Sequence, residues 1–66
     1  MDIGEIRAIL HDQYVNAVTE IEQSRKRPGR QYRRAVEQVR KDMETIDAIM
    51  SRNFGMAYNP DLKIYE

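Results

Sequence analysis

Six of the eleven basic residues crowd into ten consecutive positions: Arg25, Lys26, Arg27, Arg30, Arg33 and Arg34. No acidic residue occurs from Gln23 through Val36. Guanidinium groups present planar forks that fit carboxylate and phosphate oxygens, so this density points to anion recognition. Arg30, Arg33 and Arg34 also follow Pro28-Gly29, where a restarting helix exposes its first N–H groups and the positive end of its dipole. Cations are mildly unfavourable there, and a sequence chosen for stability alone places acids in that turn. The N–H groups and guanidinium groups together suit a phosphate or a cluster of carboxylates. The six residues therefore form a basic partner-binding patch. The expected partner is a larger protein with an acidic surface. The alternative is nucleic acid, held through its phosphates, with Tyr32 placed among the arginines to stack on a base. A formal charge of zero and a pI near 6.6 argue against a dedicated DNA-binding domain.

Catalytic chemistry finds little material. The chain has no cysteine and one histidine, His11, which leaves no disulfide, no thiolate and no histidine-based metal site. His11 and Asp12 are neighbours, so on a helix they diverge by roughly 100°. His11 and Glu20 are separated by about 13 Å along a helix axis. Gly-rich phosphate loops, nucleophile elbows and paired-carboxylate motifs are absent from the sequence. We expect no catalytic residue, no metal and no cofactor. His11 is read as an exposed or interface-edge side chain, and the hairpin as lacking a concave pocket of its own.

The elements that must carry the patch follow from apolar spacing. Asp2 is a helix cap, with Glu5 three residues on as in a capping box, while Gly4 weakens the first turn. Ile3, Ile6, Leu10, Tyr14, Ala17, Val18 and Ile21 then recur at helical spacing. Ile9 and Val15 lie off that stripe on opposite sides. This predicts helix 1 over about 3–26. Pro28-Gly29 breaks it and predicts a turn at 27–30, with the basic triplet at the negative end of the helix dipole. Periodicity resumes at Tyr32, Val36, Val39, Met43, Ile46, Met50 and Phe54, which predicts helix 2 over about 31–53 and marks an oligomer or core seam. Arg40–Glu44 and Glu37–Lys41 are spaced for ion pairs on its exposed sides. Gly55 is a natural left-handed stop.

Beyond the hairpin of residues 1–54, residues 55–66 form an extended tail. Asn59-Pro60-Asp61 is turn chemistry, and Leu62 and Ile64 alternate with Lys63 and Tyr65 as in a short strand. A lone strand has no sheet to join, so the tail packs across the helices, pairs with a copy of itself, or adds to a partner. Tyr58, Leu62, Ile64 and Tyr65 are its docking residues.

The fold class is all-α: a two-helix antiparallel hairpin with an extended C-terminal tail. Two stripes alone do not close a core, and Ile9, Val15 and Ile49 fall outside them. We therefore expect a homo-oligomer, a dimer first, forming a helical bundle. The competing arrangement is a monomer with the tail folded back as a lid. No run approaches the ~20 apolar residues of a membrane span, and the N-terminus lacks the order of a signal peptide. The sequence thus reads as a soluble cytoplasmic binding protein of adaptor or inhibitor type.

Overall fold

Asp2 opens the first helix: its Oδ1 accepts the Glu5 N–H at 2.9 Å, and its carbonyl accepts the Ile6 N–H at 3.1 Å. In the computed structural model, which describes residues 1–24 and 27–66, helix α1 runs Ile3–Gln23. It stops earlier than the spacing predicts. Ser24 turns extended, with ψ 134°, and donates its N–H to the Glu20 carbonyl. Serine competes locally for backbone hydrogen bonds, which favours an end here. The last turn of α1 therefore carries no basic residue. Arg25 and Lys26 lie outside the described residues.

Helix α2 runs Arg30–Phe54 and packs antiparallel against α1. Gly55 adopts φ 64° and donates its N–H to the Ser51 carbonyl at 3.0 Å, the left-handed stop that glycine permits. Along the seam Met43 is buried, while Val36, Val39, Ile46 and Met50 are half-buried. Leu10, Tyr14, Ala17, Val18 and Ile21 are half-buried on α1. Phe54, expected on the seam, is 64% exposed. Arg7 pairs with Asp47 and Tyr32 with Glu20, which puts Ile3 level with about residue 50 of α2. Phe54 overhangs the start of α1 and has no helix to cover it. Among the described residues no helix is long and apolar enough to cross a membrane.

The tail is not a lone strand. Strand β1 (Tyr58–Asn59) pairs antiparallel with β2 (Ile64–Tyr65), with Tyr58 opposite Tyr65 and Asn59 opposite Ile64. Ala57 and Glu66 exchange two further backbone hydrogen bonds at 2.9 Å. The turn provides the missing partner. The Asn59 side-chain oxygen accepts the N–H groups of Asp61 and Leu62, and Lys63 takes φ 57° to close the loop. The four-residue strand expected at 62–65 is thus two residues of strand preceded by a turn.

This small hairpin folds back against α1, and Gly4 is the reason it fits. A Cβ at Gly4 would sit 2.6 Å from the Lys63 carbonyl oxygen and 3.3 Å from the Ile64 Cα. The glycine that weakens the first turn of α1 is the landing place of β2. Replacing it with alanine gains about 1 kcal/mol of helix propensity and meets an overpacking cost of about 1–3 kcal/mol. We expect Gly4→Ala to detach the tail, read as lost NOE contacts between Tyr58 and Arg7, with no net rise in denaturation midpoint.

Candidate functional site

Two regions could do chemistry, and they lie at opposite ends of a molecule measuring 42 × 20 × 18 Å. At the turn, α2 begins at Gly29 without a side-chain cap and without an acid in its first turn. Arg27, Arg30, Arg33 and Arg34 are all exposed there and make no ion pair among the described residues. Tyr32 is not a core residue. It is exposed, and its hydroxyl donates to Glu20 Oε2 at 3.0 Å, bridging the helices just below the turn. That bond to a carboxylate raises the Tyr32 pKa above its ordinary value. Tyr32, Glu20, Ile21, Ser24, Arg27 and Pro28 frame a shallow recess of about 230 Å³. The arginines remain accessible along its rim.

The open end is organised differently. The Arg7 side chain is 12% exposed, and its guanidinium engages Asp47 through both forks: Nε to Oδ1 at 3.0 Å and Nη2 to Oδ2 at 3.3 Å. Its Nη1 lies 3.0 Å from Met43 Sδ, and its Cζ lies 4.6 Å from the centre of the Tyr58 ring. Tyr65 donates its hydroxyl to Asp47 Oδ1 at 2.6 Å, and the two tyrosine rings are 5.2 Å apart at 56°. Burial, then the Asp47 carboxylate, holds the Tyr65 hydroxyl well above the ordinary tyrosine range. The tail is thus fastened by its two aromatic residues to a salt bridge spanning both helices. Between tail and helices lies an open cleft of about 480 Å³, lined by Arg7, His11, Asp47, Ser51, Met56 and Tyr58 among others. The expectation of a hairpin without concavity fails, because the tail builds the second wall. The cleft still lacks a nucleophile with its base. With Arg7 level with Asp47, His11 and Ser51 stand roughly 12 Å apart along the helices. Among the described residues no cluster of His, Asp and Glu could hold a metal ion.

Comparison with protein-family models, with curated proteins and with solved structures finds no match to this chain.

The residues singled out in sequence therefore divide. Arg27, Arg30, Arg33 and Arg34 cluster as expected at one end. Tyr58 and Tyr65, half-buried, pack on the chain's own helices rather than standing out as an extended strand. Leu62, 60% exposed, and Ile64 remain outward. The ion pair Arg40–Glu44 forms, but Glu37 pairs with Arg40 rather than Lys41, and this contact lowers the Glu37 pKa. Arg7 and Asp47 were missed. Their signal was present: each is a charge at the edge of its apolar stripe, opposite in sign, with Arg7 21 residues before Pro28 and Asp47 19 after it.

The two charges are unequally solvated, since the Asp47 side chain is 42% exposed. Asp47→Ala strands a nearly buried guanidinium and should cost about 2–3 kcal/mol, below the range for a fully buried pair because Asp47 is half in water. Arg7→Met leaves a carboxylate that water can reach and should cost only about 1 kcal/mol. Urea denaturation of both variants checks the asymmetry. The neutral Tyr65 hydroxyl is favoured in the folded state, so its contribution is present below the unfolded value of 10.0 and lost as pH rises through the higher folded value. We expect stability to fall with pH above about 10, with a shallower slope in Tyr65→Phe.

Proposed function

We propose that this chain is a non-catalytic helical binding protein, of adaptor or inhibitor type, that self-associates and docks on an acidic surface of a larger protein through its arginine-rich tip. One contrast supports this reading. Arg7 and Arg40 are held in ion pairs. Arg52 lies in the last turn of α2, where the helix dipole favours a cation. Arg27, Arg30, Arg33 and Arg34 have neither arrangement, and three of them stand at a helix start that disfavours them. Groups placed against local stability and left, among the described residues, without an ion-pair partner are the groups a binding surface needs. Leu62 and Ile64, exposed on the folded-back tail, form a weaker second contact at the far end.

The tip is tested by Arg30→Glu, Arg33→Glu and Arg34→Glu combined. Helicity by circular dichroism should be unchanged, because all three side chains are exposed. Protein partners captured by the wild-type chain, identified by mass spectrometry, should be lost from the variant. Retention of the same partners would return the tip to a solvated turn. A mobility-shift series with random-sequence duplex DNA separates the alternative. Binding that falls log-linearly with salt, at a slope set by the number of phosphate contacts, would reassign the tip to nucleic acid.

A further inference from the structure

The folded-back tail covers only one side of the hairpin. Gly4, Arg7 and His11 of α1 and Asp47 and Ser51 of α2 turn toward it. At roughly 100° per residue, Ile6 and Ile9 of α1 and Ile49 of α2 lie on the opposite side. All three are exposed, Ile49 by 50%. Toward the turn the same side continues through Gln13, Ala17, Ala35 and Gln38. Of the seven basic residues within the two helices, Arg34 and Arg52 border this side, about 60° round α2 from Ile49, and the other five lie farther away. Its acids, Asp42 and Glu20, already accept hydrogen bonds from Gln38 and Tyr32.

We infer that this face is covered by the same face of a second copy of the chain, giving a four-helix bundle with both tails outside. The inference rests on the self-association in the reading above and adds which surface performs it. Two observations choose a second copy as occupant. The first is charge. The isoleucines at the centre of the face carry no charge, and its acids, Asp42 and Glu20, share the side with the bordering Arg34 and Arg52, so the face complements itself, as a two-fold interface requires. The second is area. The chain exposes 5383 Å², against about 4,400 Å² for a compact monomer of 7.8 kDa. The excess of roughly 1,000 Å² is close to the ~800 Å² per partner of a standard stable interface. The radius of gyration, 13.6 Å against about 11 Å for a compact chain of this length, locates the excess in an elongated, open-sided hairpin.

Val15 provides a matched control. It is 44% exposed, like the isoleucines, but lies on the other flank of α1. Sedimentation equilibrium of the wild-type chain should show a dimer. Ile49→Glu and Ile6→Glu should each weaken it by roughly 100-fold or more, because every substitution enters a two-fold interface twice. Val15→Glu should leave the dissociation constant within a few fold. A wild-type chain that stays at 7.8 kDa at every concentration overturns both this inference and the self-association beneath it. A dimer indifferent to Ile49→Glu, or as sensitive to Val15→Glu, overturns the assigned face alone. Should the glutamate variants unfold, the wild-type chain decides: a melting temperature that rises with concentration supports the dimer, and a constant one refutes it.

Discussion

The structure depends on one ion pair. Arg7 and Asp47 sit at the same level of the two helices, and their bidentate contact sets which turns of α1 and α2 face each other. A guanidinium this deeply covered must keep its partner, because an uncompensated charge out of water is far costlier than an unmade surface contact. The pair then recruits everything near it. Met43, the buried residue of the seam, offers its sulfur to the guanidinium; Tyr58 lies over it; Tyr65 donates to the shared carboxylate. In a chain with so small a core, this polar junction joins three segments that apolar contact alone would hold loosely.

The same junction explains why the molecule is asymmetric from end to end. At the open end, charges are paired, aromatic side chains are engaged, and the tail is seated in the gap that Gly4 leaves. Near the turn the Tyr32–Glu20 hydrogen bond links the helices, and Arg27, Arg30, Arg33 and Arg34 beyond it make no ion pair among the described residues. Paired charge is concentrated where the tail meets the helices, and unpaired charge, among the described residues, at the turn. The proposed role of the tip rests on this distribution.

The sides of the hairpin differ as much as its ends. The tail covers one flank and seats Tyr58 and Tyr65 against it. The other flank keeps Ile6, Ile9 and Ile49 in water. Their exposure follows from where the tail lies: closed into a hairpin through the Asn59 side chain and Lys63, it sits against one side of the helix pair.

Much of this was legible in the residues themselves. Apolar spacing at three and four, the Asp2 cap, the Pro28-Gly29 break and the Gly55 stop are local signals, and they determined two helices, their order and their ends to within a few residues. The arginine cluster was equally plain, because charge density needs no partner to be read. What the tertiary structure alone decided is long-range. The two strands of the tail are too short to show a period, so their pairing emerged only with the turn geometry. Gly4 looked like a flaw in a helix until Lys63 arrived above it. Arg7 and Asp47, forty residues apart, looked like surface charges until folding brought them to one level. Local backbone preferences are written in neighbouring residues, whereas the worth of a charge or a missing side chain depends on what the fold places beside it.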